Sequence, residues 1–461
     1  MVSDDGVLPN GTEGQNDSTG HVSLVWENVD CILSKEKLKT LSDAWNVDQQ
    51  QKHQDMRSGS SDAGTNTSKH RSFIRRTSTP GADDFDWMRK PILRVDIPSI
   101  EEICDWSFDP LTFEGTVLVE VFVLMLEHYN LLEELKLDRD MLVRYATAVK
   151  QMHHQDCYYQ QIDIEDNENL NEMRQYDQQT VICEYHNWYH AVSCAHACFL
   201  FLFIGKTDHY LESKDIFCII MGGLIHDLDH PGTNNDFEVK RGSELARRYD
   251  NDAVLERHSI NQGLALCKEN PALDWLNSFG TDEDRQYIEH FITESVLATD
   301  PARHGQVLKE ALAFIEEGPK SYDGTNLTFF DNKNPEHRLF IGRLFLHSAD
   351  ISNPIHTSFE VARDWAIRVT AEFSRQASKE RELKLPVTSF MDGLDNEYHI
   401  AKIQISFFGF MVQPLYHAIG KLFPSLNHLN SWGQRNCEKY EEIIRAFESK
   451  QRGEDIKQKS K

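Results

Sequence analysis

Between about residue 92 and residue 449, aliphatic and aromatic side chains recur every three to four positions, as across residues 117–132 and 363–373. That spacing predicts amphipathic helices. Alternating runs of the strand type are scarce, proline and glycine fall between the periodic runs, and no segment repeats. Residues 91–449 are therefore expected to form one all-α, compact multi-helix domain. The most apolar stretch, ACFLFLFIG at residues 197–205, is too short to span a bilayer and has polar flanks, which predicts a buried core helix.

Outside that body the pattern fades. Residues 1–90 are rich in Ser, Asp, Asn, Gly, Thr and Gln, and cannot bury enough apolar surface to offset the entropy of ordering the chain. They read as a disordered tail of regulatory or targeting type, with residues 22–45 as a weak candidate for a short amphipathic docking segment. Within it Arg75 and Arg76 precede Thr77 and Ser78, a pattern suited to a basophilic kinase, and Thr79 precedes Pro80, which suits a proline-directed one. The end of the chain, residues 450–461, is charged (KQRGEDIKQKSK) and is expected to fray.

Charge narrows the range of partners. Lys plus Arg total 48 against 74 Asp plus Glu, a net charge of -26, and such a field repels nucleic acid and anionic membrane. A small anionic substrate is still compatible if bound cations reverse the potential locally. The nine cysteines include no CxxC pair, which argues against a disulfide framework or a cysteine zinc site and fits a cytoplasmic location. The opening residues, MVSDDGVLPNGTEG, lack both a basic start and an apolar core, so no signal peptide is expected.

The candidate chemistry lies in three separated elements. His186 and His190 stand four apart in YHNWYH, and would share a face if both were helical. His226, Asp227, Asp229 and His230 follow the apolar run that begins at Ile219, and Asp350 follows another that includes Leu344 and Leu346. Ionisable groups beside such runs are costly to bury without compensation. Imidazole with carboxylate suits zinc with an open position, and carboxylate with water suits a harder ion such as magnesium; together they describe a binuclear hydrolytic site. One such residue would be an ordinary packed histidine or helix-end aspartate, but the repetition in three places favours a metal centre.

These residues carry a resemblance. The string HDLDHPGTNNDF from His226 to Phe237 resembles the signature of class I cyclic-nucleotide phosphodiesterases, as do YHN at Tyr185, SELA at Ser243, LATD at Leu297, SADISNP at Ser348 and QISF at Gln404. The likeness runs over about residues 95–445. It implies that His190, His226, Asp227 and Asp350 hold zinc. Asp227 would bridge to a second ion, magnesium or manganese, with His230 and Glu256 near its shell. It implies in-line attack of hydroxide on the phosphorus of a cyclic nucleotide, protonation of the departing O3′ by His186, and a nucleoside 5′-monophosphate product. Gln404 would bond the purine edge, Phe407 stack on it and Val369 form the opposite wall, while Asn353 would reach the base and Tyr185 line the site.

ELARRYD, LATDPARH, PVTSFMD and KLFP are most similar to the cGMP-specific family nine, so cGMP is expected ahead of cAMP. The chain departs from that pattern at Pro354, where the branch has glutamate, at Pro301, where a pocket methionine is usual, and at Ser259, which replaces a second histidine after His258. A polar insertion is expected at about residues 155–179. His153, His154, His196 and His209 lack carboxylates at metal spacing and read as packed or solvated. Two other functions compete: a nucleotidohydrolase of the wider His-Asp superfamily, which the Gln404 and Phe407 elements disfavour, and a non-catalytic cyclic-nucleotide sensor, which the full ligand set disfavours. A homodimer is compatible with all three.

Overall fold

Polar caps set the helix starts that periodicity only brackets. The computed structural model describes residues 93–153, 183–322, 327–394 and 396–459. The tail over residues 1–90, with its docking and kinase candidates, and the insertion at residues 155–179 lie outside them, as does His154. The described residues fall in one unit, Thr77–Lys461.

Sixteen α-helices occur among the described residues: α1 Ile100–Ile103, α2 Val117–His128, α3 Leu131–Glu134, α4 Arg139–Met152, α5 Trp188–Gly205, α6 Ser213–Ile225, α7 Asn235–Lys240, α8 Glu244–Arg248, α9 Val254–Glu269, α10 Asp282–Leu297, α11 His304–Glu317, α12 Pro335–Asp350, α13 Phe359–Glu382, α14 Glu397–Phe407, α15 Gln413–Leu422 and α16 Leu429–Lys459. Asn187, Asn334, Ser358 and Asn396 accept a backbone N–H at the starts of α5, α12, α13 and α14, and Glu212 and Asp215 form a capping box on α6. The all-α expectation holds. Its exceptions among the described residues are a two-residue antiparallel pairing that sets Ser321 opposite Thr328 and Tyr322 opposite Leu327, and a single parallel bridge between Arg94 and Phe113.

The apolar run at residues 197–205 forms the second half of α5, which is long and apolar enough to cross a membrane yet is mostly buried within the fold. α5 lies along α6, and α12 packs on both. The approach of α5 to α6 is tight because Gly223 faces the Ala195 backbone: a Cβ at Gly223 would stand 2.7 Å from the Ala195 Cα. These three core helices end in, or begin with, the candidate ligands, so the packing that closes the core also gathers the site.

Two details differ from the sequence expectation. The run 117–132 is broken by Asn130, whose left-handed backbone (φ 55°) separates α2 from α3. The charged end continues α16 as far as Lys459 instead of fraying after residue 449. Gln, Arg, Glu and Lys are good helix formers, and Arg445 with Glu441 and Arg452 with Glu448 form i,i+4 pairs along the helix.

Candidate active site

Three chain segments converge on one acidic, imidazole-rich centre. Asn187 caps α5 by accepting from Tyr189 N at 3.0 Å while its amide donates to the Cys183 and Glu184 carbonyls. His186 thus lies in the turn before α5 and His190 in its first turn, so the pair does not share a helical face. His226 caps the C-terminus of α6; its Nδ1 donates to Gly223 O at 2.9 Å, which fixes the tautomer and leaves the Nε2 lone pair facing the site. Asp229 has a left-handed backbone (φ 62°) and reverses the chain after α6. Ser259 contributes by donating to Leu228 O at 2.9 Å, and His258 pairs with Asp229 at 2.8 Å. Asp350 is the last residue of α12.

His190, His226, Asp227 and Asp350 each offer a donor atom, all within 4.8 Å of one another. His190 Nε2 is 3.0 Å from Asp350 Oδ1 and 3.4 Å from Asp227 Oδ2; His226 Nε2 is 3.0 Å from Asp227 Oδ2 and 3.3 Å from Asp350 Oδ1. Burial alone would raise both carboxyls, but His226 and His186 hold Asp227, and His190 and His226 hold Asp350, well below the usual carboxylate range. The buried His226 Nε2 lies between the two carboxylates, whose charges push its pKa well above the ordinary histidine value although burial opposes this. Two imidazoles and two carboxylates converging on one buried point can hold a cation in place of that proton. The four residues fit zinc.

His186 belongs to a second group. Its Nδ1 pairs with Glu372 Oε1, while Glu372 Oε2 accepts from Cys183 Sγ at 3.0 Å, Tyr185 N at 3.1 Å and His186 N at 3.3 Å. Burial would lower the His186 pKa, but the Glu372 and Asp227 charges outweigh it and raise it to about 9. Its side chain keeps 22% of its surface exposed against 3% for Glu372. The imidazolium therefore has a buried anion behind it and an open edge in front, the disposition of a general acid. His230, expected near a second ion, stacks against His186 with ring centroids 4.0 Å apart and stands in this group with Cys183 and Glu372. Glu256 is in neither group; burial and Asp300 push it up to about 7, and both its oxygens accept from Asn235.

The expected base-contacting residues are spread over neighbouring elements. Gln404 is buried in α14, and Phe407 is half-buried at its end, where the chain passes into a π-helical turn, Phe408–Val412. Such turns often occur at functional sites. Val369 is half-buried on α13, which packs on α14. Asn353 donates to Tyr185 Oη at 2.7 Å, and the Tyr185 ring lies 4.5 Å from that of His190, so both connect directly to the centre. Of the histidines set aside, His196 is buried with Nε2 2.7 Å from Ile103 O and His153 is buried, while His209 is exposed against Tyr210.

Sequence reasoning missed Glu372 and Cys183. Neither sits in a histidine-aspartate motif, but Arg368, Glu372, Gln376 and Glu380 are all buried at four-residue spacing on α13. A polar stripe on the core-facing side of a helix is the signal that could have found the first of them.

The sequence pattern of the family described as 3′5′-cyclic nucleotide phosphodiesterase matches residues 185–431. Similar proteins include the probable 3′,5′-cyclic-AMP phosphodiesterase pde-4 of Caenorhabditis elegans, 28% identical over 56% of this chain and 37% of that protein. The 3′,5′-cyclic-nucleotide phosphodiesterase regA of Dictyostelium discoideum is 26% identical over 74% and 38%. The high affinity cGMP-specific 3′,5′-cyclic phosphodiesterase 9A of Homo sapiens is 28% identical over 57% and 41%. The chain thus spans about two fifths of the length of these relatives, and a cAMP-named and a cGMP-named protein match it equally well. In fold it resembles the phosphodiesterase domain of the RhoPDE fusion protein of the choanoflagellate Salpingoeca rosetta (TM-score 0.64, 24% identity, 75% of this chain and 97% of that one). It likewise resembles LmjPDEB1 in complex with IBMX (TM-score 0.62, 23% identity, 76% and 100%). With the family pattern matched from Tyr185 in the turn before α5 into α16, this chain belongs to the 3′5′-cyclic nucleotide phosphodiesterase family.

Proposed function

We propose that this protein hydrolyses a 3′,5′-cyclic nucleotide to the nucleoside 5′-monophosphate, cGMP in preference to cAMP. The observation that carries the reading is the convergence of His190, His226, Asp227 and Asp350 within 4.8 Å, with His226 Nε2 facing both carboxylates and His186 nearby. His190, His226, Asp227 and Asp350 would hold zinc, with Asp227 also facing a second, harder ion, magnesium or manganese. Bound there, divalent cations supply Lewis-acid charge for the phosphodiester and a low-pKa water for attack.

The chain's own residues do the rest. Glu372 keeps His186 charged and oriented, and His186 delivers its proton to O3′ as the P–O3′ bond breaks. The Asn353 to Tyr185 bond holds the rim beside His190. Gln404 offers an amide that can present donor and acceptor to either purine, Phe407 offers a stacking face, and Val369 closes the opposite side. Support for cGMP comes from the ELARRYD, LATDPARH, PVTSFMD and KLFP segments. Phosphorylation near Arg75, Arg76 and Ser78, homodimerisation and a cytoplasmic location belong to the same proposal, on sequence grounds.

Chromatographic assay of cGMP and cAMP turnover in parallel tests it. The expected outcome is a higher kcat/KM for cGMP and loss of metal together with activity in Asp227→Ala. A preference for cAMP refutes the substrate choice, and full turnover without metal in Asp227→Ala refutes the centre.

A further inference from the structure

Outside the His190 to Asp350 centre, one further set of metal-ligating side chains converges among the described residues: Cys183, His186, His230 and Glu372, whose donor atoms all lie within 4.8 Å of one another. Cys183 is fully buried, with Sγ 3.0 Å from Glu372 Oε2 and 3.1 Å from the His186 carbonyl. His230 is buried, and its Nδ1 accepts from Gly232 N at 3.1 Å, leaving Nε2 for other partners. Tetrahedral zinc with bonds of about 2.0–2.3 Å sets its ligands about 3.3–3.8 Å apart, so modest contraction of this cluster is enough. The donor set is the point: a thiol and two imidazoles select a soft or borderline cation, whereas magnesium prefers oxygen and keeps its waters.

We propose that Cys183, His186, His230 and Glu372 form a second, inhibitory site for a soft divalent cation, zinc or cadmium. Binding removes the thiol proton of Cys183 and the Nδ1 proton of the His186 imidazolium, both passing to solvent, and replaces the link from His186 to Glu372 with bonds to the cation. His186 is left neutral and immobilised. The inhibitory part rests on the reading of His186 as the acid; the binding part does not. The exposed edge of His186 is the route of entry.

The test uses the full-length protein loaded with one equivalent of zinc and excess magnesium, then titrated with cadmium. The thiolate-to-cadmium charge-transfer band should rise to saturation at one equivalent and be absent in Cys183→Ser, whose hydroxyl preserves the hydrogen bond to Glu372. No band, or an equal band in the variant, overturns the site whether or not the protein turns over cyclic nucleotide. In the activity arm, the midpoint for inhibition by added zinc should rise in Cys183→Ser by more than the roughly 10–100-fold typical of losing an outer-shell partner. Equal midpoints overturn inhibition through this site. If the variant does not fold, X-ray absorption of the wild-type protein carrying two zinc ions decides: a sulfur neighbour at about 2.3 Å is expected, and only nitrogen and oxygen neighbours contradict it.

Discussion

Replacing Glu372 by glutamine removes a charge and almost no volume, which makes it the sharpest probe of how His186 is held. In the native site one carboxylate oxygen faces His186 Nδ1 and the other gathers Cys183 Sγ and the backbone N–H groups of Tyr185 and His186. A glutamine oxygen can serve only one of these sides. The three donors will claim it, turning the amide N–H toward Nδ1 and forcing the wrong tautomer. Without the carboxylate, burial is opposed only by the Asp227 and Asp350 charges, so the pKa of an imidazole otherwise held at about 9 falls. At pH 7.5 the protonated fraction then drops. Loss of orientation adds to this, so kcat should fall by about 10²–10³-fold, within the range for a general acid. Bound cations lower the His186 pKa in both proteins, so the comparison is made at matched metal occupancy across pH 6–9. The acidic end of that range should partly rescue the variant. Bis(p-nitrophenyl) phosphate, whose leaving group needs no proton, should be largely spared. Equal loss on both substrates, or an unchanged kcat on the cyclic nucleotide, would refute the role of Glu372.

Three further outcomes follow from the same geometry. Gln404→Ala should raise KM by about 2–12-fold with little change in kcat, the equivalent of one neutral hydrogen bond, and Phe407→Ala should cost more; steady-state kinetics in which both variants match the wild type would dismiss this pocket. Gly223→Ala should lose about 1–3 kcal/mol in denaturant unfolding and weaken zinc binding, because its Cβ meets the Ala195 backbone at 2.7 Å between the two helices that carry His190 and His226; Gly222→Ala, facing only a Leu346 methyl at 3.1 Å, is the milder control, and equal stabilities would contradict the close approach. Burial pushes His196 and His347 down to about 4, so they stay neutral when folded and bind protons on unfolding between about pH 4 and 6.5. Stability must therefore fall as pH drops through that window, and His196→Gln should reduce the slope by about 1.4 kcal/mol per pH unit; an unchanged slope would contradict it.

The parts of the site legible in the sequence are those where chemistry and local pattern coincide. An apolar run ending in His226 and Asp227 identifies itself, because burial makes those ionisable groups expensive, and the same holds for Asp350 at the end of α12. Residues whose role depends on where distant elements meet were not legible. Glu372 lies mid-helix 186 positions after His186 and is distinguished only by the polar stripe it shares with Arg368, Gln376 and Glu380. Cys183 reads as an ordinary buried thiol until α13 is packed against it. The spacing of His186 and His190 suggested a shared helical face, yet the Asn187 cap starts the helix between them, and that turn is what lets one face Glu372 while the other faces Asp350. Helix existence was clear from periodicity. The break at Asn130 and the continuation of α16 to Lys459 were not, because backbone conformation and exposed charge pairs decided them.

Under the proposed function these elements form a centre that breaks the P–O3′ bond with water. Hydrolysis of cGMP in oxygen-18 water, followed by mass spectrometry of the product, tests it most directly. The expected product is 5′-GMP carrying one heavy oxygen on phosphorus, with formation abolished in Asp350→Ala alongside its zinc. A 3′-monophosphate, a product without label, or labelled 5′-GMP formed undiminished by metal-free Asp350→Ala would contradict it.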